Sequence, residues 1–484
     1  MQSPKLTINN LPNELLIEMF DFYLLRWQDV NHLWETGYQL EWFNLLHVCR
    51  KWRAVLFASS SRLGLSFVLT PKRGGNIKTI ISRHFPPLPI VINYNYQRRL
   101  TTTGMTKDMS RLLCALKLPD RIRGIDLYAS STNGELAKFF KAMKCPFPAL
   151  ESLAIRNKDD QVLKIPAAFL KGTNLHLRLR SLKLRSICLT SISQLLSSAT
   201  ALTNLSLTIR TDHRQPPDML LLLAQLQGLP LLRRLNLKIS CSTEQPTEPK
   251  ERFPLEKLTS FHYHGCTAAL NTLTMGFVAP SLQDIDISLD ERSQTLPPPA
   301  SHLPKFINDI RKHYRVVQMI LERDFFNFWL LAPSKCIGHN PPRFKLRSFR
   351  YSNSNIQDWM MQISDEFSAV LSTMEELSVI SHCYGDKSEE VIPWCMFLEQ
   401  FPCVKEFRLQ GMNNLRIANA LHQSDGGPNL AVLPALERLI ISFQHDSYSS
   451  EWPSKLAVFQ PFVSARQQAG RPVKVSGSGE MDLS

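Results

Sequence analysis

Apolar residues recur along this chain in two rhythms. Near the start they fall three and four apart, at Leu15, Leu16, Met19, Phe20 and Tyr23, and again at Leu45, Leu46, Val48, Cys49, Trp52 and Leu56, with Arg50, Lys51 and Arg53 in the gaps. That spacing predicts two amphipathic helices. The first opens at Leu11-Pro12-Asn13-Glu14, with proline where a helix accepts it and an acid in the first turn. Two short helices with apolar stripes need a surface to bury them.

From about residue 119 the rhythm changes to apolar residues at positions one, four and six. The pattern runs through Leu150, Leu153, Ile155; Leu179, Leu182, Leu184; Leu202, Leu205, Leu207; Leu232, Leu235, Leu237; Leu258, Phe261, Tyr263; and Leu282, Ile285, Ile287. It resumes at Leu346, Phe349, Tyr351; Met374, Leu377, Val379; Val404, Phe407, Leu409; and Leu436, Leu439, Ile441, with Ile122, Ile125, Leu127 as a possible first copy. Most copies start about 23–32 residues apart, the period of leucine-rich repeats. Proline stands two residues before position one in five copies, at Pro148, Pro230, Pro280, Pro402 and Pro434; with 31 prolines in 484 residues, chance gives fewer than one. Helical patterns lie between, such as Leu136, Phe139, Phe140, Met143. Each repeat is then one strand and one helix, unable to bury its own apolar face, so neighbours stack through parallel strands. The gap from Leu282 to Leu346 is too wide for one repeat; Val316, Met319 and Leu321 offer a missing strand, within an irregular segment, 302–342, that reads as an insertion.

Composition narrows the class. A chain that is 44% hydrophobic and 20% charged reads as folded. Met1 to Asn10 lacks a basic region followed by an apolar core, and the most apolar run, Met219 to Leu232, is broken by Gln225, Gln227, Gly228 and Pro230. A soluble intracellular protein, cytoplasmic or nuclear and with no membrane partner, is the expectation. The net charge of +14 is spread without a block of like charges, which argues against a nucleic-acid partner and fits an acidic one. The ten cysteines form no CxxC pair and read as reduced, mostly buried thiols.

Leu11-Pro12-Asn13-Glu14-Leu15-Leu16, with Phe20, followed by His47-Val48-Cys49-Arg50-Lys51-Trp52-Arg53, closely resembles the F-box. The nearest likeness is to the fungal F-box/leucine-rich-repeat type, in which an insertion, here about Arg26 to Glu41, separates the helices. An Arg-Leu-x-Leu stretch follows, here Arg62-Leu63-Gly64-Leu65, and Leu88-Pro89-Ile90-Val91-Ile92 also fits that type. Ser60-Ser61 stands where relatives often carry Ser-Pro. The resemblance implies docking onto a Skp-type adaptor and, through it, a cullin scaffold, with Leu11, Pro12, Leu15, Leu16, Phe20, Cys49, Arg50 and Trp52 as the adaptor-binding residues. It implies a non-enzymatic, substrate-recruiting subunit of an SCF-type ubiquitin ligase; an F-box scaffold outside any ligase is the alternative.

The expected architecture is a small all-helical F-box module over residues 1–70, a connecting segment over 71–118, a leucine-rich-repeat-like α/β solenoid over 119–475 and a flexible tail over 476–484, its end capped by Phe462 to Arg466 and Val473 to Val475. Strand alternation sends the residues around the last two apolar positions of each repeat to the concave face. Candidate contacts to a protein substrate are Arg156, Lys183, Arg185, Arg234, Lys238, His262, His264 and Arg408, accompanied by Asn236, Asp284, Asp286, Arg350, Glu406, Gln410 and Arg438. The basic members favour an acidic or phosphorylated segment. His262, His264 and Cys266 alternate on one strand but lack a fourth ligand, and the Gly74-Gly75 and Gly426-Gly427 pairs lack a phosphate-loop context, so neither metal, cofactor nor catalytic residue is expected.

Overall fold

A computed structural model describes residues 10–28, 42–60, 63, 67–69, 88–95, 105–129, 134–157, 161–163, 165–166, 178–210, 218–240, 249, 251–291, 306, 314–321, 325–331, 343–350, 356–381, 394–411, 414–422, 432–442, 457–477 and 482–483. The chain divides into two compact units, Met1–Thr208 and Ile209–Ser484.

The first unit opens with helices α1 (Asn13–Gln28), α2 (Trp42–Leu46) and α3 (Arg50–Ala58). Next come β1 (Phe67–Leu69), β2 (Ile90–Asn95), α4 (Met105–Ala115), β3 (Ile122–Ala129) and α5 (Glu135–Ala142). β4 (Ser152–Asn157), β5 (Ser181–Ile187), α6 (Ser193–Ser198) and β6 (Asn204–Arg210) follow, with the division between units inside β6. Strands β1 to β5 pair consecutively and in parallel. Their register aligns like with like, Ile125 beside Leu153 beside Leu182, and Leu127 beside Ile155 beside Leu184, all buried. Parallel strands at this register turn single apolar residues into continuous buried rows. The ladder starts before residue 119: β2 and α4 occupy the stretch read from sequence as a connecting segment.

In the second unit α7 (Met219–Gln227) precedes β7 (Arg234–Ser240), β9 (Ser260–Gly265) follows after the two-residue β8 (Phe253–Pro254), and α8 (Thr267–Gly276) and β10 (Phe277–Val278) lead to β11 (Asp284–Glu291). β7, β9 and β11 pair in parallel, and β8 and β10 form a separate pair. The wide gap holds β12 (Val316–Leu321), β13 (Phe325–Leu331) and β14 (Arg343–Arg350). β12 is indeed a strand, with Val317 and Met319 buried, but it does not neighbour β11. β11 pairs in parallel with β14, β14 and β13 are antiparallel, β13 and β12 are antiparallel, and β12 pairs in parallel with β15 (Glu376–Ser381). The chain thus runs this stretch in reverse spatial order and rejoins the parallel ladder.

The register of β14 also differs from the sequence reading. Phe344 and Leu346, beside Ile285 and Ile287, are the buried pair, so the inward phase begins two residues before Leu346; the Phe349 side chain lies outside the described ones. A one-residue change of phase moves every side chain to the other face, and aromatic residues spaced along the whole strand hid which set is inward.

After α9 (Ile356–Leu371) and β15 the second unit continues with α10 (Trp394–Leu398), β16 (Glu406–Gly411), α11 (Asn414–His422) and β17 (Arg438–Ser442). α12 (Gln460–Gln468) and β18 (Lys474–Gly477) close the ladder, with β15 to β18 pairing in parallel. Phe462, Arg466, Val473 and Val475 are buried at this end, and Arg466 Nη2 donates to the carbonyls of Pro434 and Leu436 at 3.2 and 3.0 Å. Instead of a wholly flexible tail, Ser476 and Gly477 belong to β18, and β19 (Asp482–Leu483) pairs antiparallel to it.

The recurring proline has a structural reason. In each of the five copies the position-one N–H donates to the carbonyl three residues earlier: Leu150 to Phe147, Leu232 to Leu229, Leu282 to Ala279, Val404 to Phe401 and Leu436 to Leu433, at 3.0–3.4 Å. Proline is therefore the second residue of a four-residue turn, where its fixed φ suits the backbone. The first residue of every one of these turns is buried, a further apolar position absent from the sequence pattern.

Strand spacing is then set by a shared carbonyl. Glu151 O accepts from both Arg180 N–H and Ser181 N–H at 2.8 and 3.0 Å, and Arg180 O from Thr203 and Asn204 at 2.9 Å each. In the second unit Thr259 O accepts from Gln283 and Asp284 at 2.9 and 3.0 Å, and Lys405 O from Glu437 and Arg438 at 2.8 and 2.9 Å.

Gly411 ends β16 with φ +107°, and a Cβ there would lie 1.9 Å from the carbonyl oxygen of Ser381 on β15. Gly411→Ala should destabilise the second unit by at least about 2 kcal/mol, through both backbone strain and forced separation of the two strands. A thermal melt followed by circular dichroism would show it as a lowered transition; an unchanged transition would mean that β15 and β16 do not approach so closely.

Candidate functional site

Two kinds of surface fit recognition: the outer face of the helical module, and the solvent-facing positions of the strands. In the module, Leu16 and Phe20 of α1 pack with Leu45, Leu46, Trp52, Val55, Leu56, Leu63 and Leu88. The Phe20 and Trp52 rings meet edge to face, centroids 4.9 Å apart at 66°. Cys49 caps α3, its Sγ accepting the Trp52 N–H at 3.4 Å. Lys51 Nζ donates to Leu11 O at 2.6 Å, and Arg53 donates to Leu46 O through Nε and Nη2 at 3.2 and 3.0 Å. These bonds tie the turn before α1 and the end of α2 to α3.

The eight residues named from the F-box resemblance therefore divide. Leu16, Phe20 and Trp52 are core; Leu11 and Cys49 are half-buried; Pro12, Leu15 and Arg50 are exposed. Three apolar residues missing from that set are exposed as well: Met19 at 44%, Phe22 at 76% and Val48 at 52%, beside Leu15 at 47%. Leu15, Met19 and Phe22 are spaced by four and then three residues and form one stripe on α1, on a face other than that of Leu16 and Phe20. The signal was in the sequence, as apolar residues in excess of one helix face. Most of the insertion between the helices, residues 29–41, lies outside the described residues, as do Arg62, Gly64 and Leu65.

Solvent-facing strand positions carry charge that is partly consumed within the fold. In the first unit Arg156 Nη2 bonds both oxygens of Asp126 at 2.9 Å, and its guanidinium lies 5.4 Å from the Tyr128 ring centroid. That half-buried pair holds Arg156 against its own sheet. Lys183 and Arg185, one strand further, are exposed and have no side-chain hydrogen bond or ion pair among the described residues. In the second unit Arg234 and Lys238 of β7 are likewise exposed and unpaired among the described residues, with Asn236 exposed between them.

The strands that follow are internally matched. His262 Nε2 lies 2.9 Å from Ser260 Oγ and 3.3 Å from Asp284 Oδ2, and Arg347 Nη2 lies 3.2 Å from Asp286. Hydroxyl and carboxylate thus meet the same ring nitrogen, unlike a nucleophile relay in which they occupy opposite ring nitrogens. Nearby, the buried Tyr314 hydroxyl has its pKa raised above the ordinary phenol value by burial and, secondarily, by the charge of Asp284. His264 is half-buried. Glu406 is buried, and its two oxygens bind Arg408 and Arg438, so neither arginine is a free cation. Gln410 is half-buried, and the Arg350 side chain lies outside the described ones.

Cysteine usage departs from expectation. Cys266 is disulfide-bonded, its partner outside the described residues, so its thiolate is not available to a site with His262 and His264. The six reduced cysteines described, Cys49, Cys114, Cys145, Cys188, Cys395 and Cys403, are half-buried or exposed rather than buried. Among the described residues no cluster of three or more His, Cys, Asp and Glu side chains could hold a metal, and no helix is long and apolar enough to cross a membrane.

No family model and no curated protein matches the sequence. Among solved structures, the leucine-rich-repeat-containing protein LegL7 from Legionella pneumophila aligns over 87% of this chain and 92% of its own, at 11% identity and a TM-score of 0.26. So low a score gives no support to a shared fold, and the repeat architecture here rests on the strand register and the turns themselves.

The burial division within α1 and α3 has a measurable consequence. Trp52→Ala should destabilise the helical module by about 3–5 kcal/mol, whereas Leu15→Ser should change it by no more than about 0.5 kcal/mol. Hydrogen exchange of α1 and α3 amides reads both; equal loss of protection would show that Leu15 belongs to the core.

Proposed function

We propose that this chain is a substrate-recruiting, non-catalytic subunit of an SCF-type cullin-RING ubiquitin ligase, its helical module docking on a Skp-type adaptor. The observation that carries the reading is the second apolar stripe of α1. Leu15, Met19 and Phe22 face solvent although the module already has a filled core, and removing such a stripe from water stabilises a complex by roughly 25 cal/mol per Å² buried. The F-box resemblance of residues 11–20 and 47–53 supplies the identity of the partner. Pro12, Leu15, Met19, Phe22, Val48 and Arg50 are the contacts we assign to the adaptor.

The repeats then supply the substrate side. Lys183 and Arg185 on β5 are the cations of the first unit best placed for a carboxylate or phosphate, since Arg156 is already paired. No group transfer is required of the chain itself: holding a substrate near the charged ubiquitin-conjugating enzyme raises its effective concentration there.

Co-purification of the tagged chain with the Skp-type adaptor and cullin tests the reading. Wild type should retain both. Leu15→Asp/Phe22→Asp should lose at least about tenfold of both while melting as wild type does, because a charge in the apolar contact remains desolvated and unpaired. Failure of the wild-type chain to retain the adaptor would end the ligase reading; retention by the double variant would move the contact away from the α1 stripe.

A further inference from the structure

Helix α5 stands between two cavities on the helix side of the first unit. One, of about 410 Å³, is lined by Leu113, Leu116, Lys117, Lys138, Lys141 and Ala142, among others. The other, of about 540 Å³, includes Leu136, Phe140, Lys141, Lys144, Leu163 and Pro166 in its wall. Lys141 belongs to both. Each cavity lies in the size range of ligand sites, roughly 300–1,000 Å³. Leu116, Leu136, Phe140 and Leu163, all buried, give them apolar floors.

Among the described residues that line them, the charge is of one sign. Lys117, Lys138, Lys141 and Lys144 are exposed, and their side chains have no partner among the described residues. Among the described residues no acid lines either cavity. The one acid of α5, Glu135, is buried and accepts the Tyr94 hydroxyl at 3.1 Å, so its carboxylate is turned into the core. Other cations of the chain do lie beside acids, as Arg123 does beside Glu151 at 2.7 Å and Arg315 beside Glu375 at 3.5 Å.

We infer that the two grooves flanking α5 form a docking site for an acidic amphipathic peptide segment, one apolar side chain entering each groove and carboxylates between them meeting Lys138 and Lys141. The spacing is fixed by the helix that separates the grooves. An α-helix is about 10 Å across with its side chains, and a chain in the polyproline-II conformation advances about 9 Å in one three-residue turn, which brings i and i+3 to the same side, so the apolar anchors stand at i and i+3. A peptide rather than an acyl chain is favoured because the four lysines border two separate grooves, and a single continuous tail would occupy only one. This site does not depend on the ligase reading.

The probe is a fluorescein-labelled peptide, Gly-Leu-Glu-Glu-Leu-Gly, titrated with the full chain and followed by fluorescence polarisation. Saturable binding tighter than about 1 mM is expected, weakened at least about tenfold by Lys138→Glu/Lys141→Glu and by glutamine in place of the peptide's glutamates. Lys257→Glu, an exposed lysine of the second unit, should leave it unchanged. A melt by circular dichroism checks that the double variant is folded; should it not be, the glutamine peptide and Lys144→Ala on their own decide. No saturable binding, equal binding of the glutamine peptide, or indifference to the lysine changes overturns the inference. So does binding confined to phosphatidylserine vesicles, which would make the site one for lipid.

Discussion

At most of the described junctions between repeats, one repeat supplies a backbone carbonyl that its successor uses. The backbone oxygen just ahead of one strand accepts two N–H groups at the start of the next, as at Glu151, Arg180, Thr259, Glu375 and Lys405. A buried strand cannot leave such groups unpaired without a cost of several kcal/mol each. The tight turn before the strand settles where that oxygen lies, and proline at its second position restricts the unfolded chain as well as suiting the folded one. Apolar rows follow from this geometry: once the starts of neighbouring strands are held level, Leu153 falls beside Leu182 and Phe407 beside Leu439 without further instruction.

The same constraint explains how the ladder survives its interruption. β12, β13 and β14 run back and forth, yet β14 presents its edge to β11 and β12 presents its edge to β15 in the parallel sense. Arg315 O, at the start of β12, accepts from Glu375 and Glu376 at 2.8 and 3.1 Å, just as the starts of regular repeats do. An antiparallel excursion is tolerated because it returns a strand of the right direction and phase to each neighbour.

Charge on the strands is arranged by neighbour rather than by residue. Asp126 takes up Arg156, Asp286 takes up Arg347, and buried Glu406 takes up both Arg408 and Arg438. Among the described residues, the cations left over include those on β5 and β7 and around α5. The helical module shows the parallel case for apolar residues: Leu16, Phe20 and Trp52 fill its core, and Leu15, Met19 and Phe22 remain outside it. In both places the surplus, and not the total, marks a surface available to a partner.

Much of this was legible in the sequence. The two helical stripes, the strand positions of most repeats and the caps at Phe462, Arg466 and Val475 could be read from spacing, because a strand or helix that must bury one face repeats its apolar residues at its own period. The prolines marked the turns. What spacing could not reach was anything requiring two distant segments at once: that β2 already belongs to the ladder, that β14 and not β12 adjoins β11, that Phe344 and Leu346 are the inward pair of β14. Nor could it tell that Arg156 is spoken for by Asp126 while Lys183 is not, or that Glu135 turns its charge inward and leaves the lysines around α5 unmatched. The sequence by itself determined the repeating unit, since local periodicity and turn chemistry act within a few residues. Only the tertiary structure decided which units adjoin and which charges cancel, because pairing energies belong to neighbours in space that lie tens of residues apart along the chain.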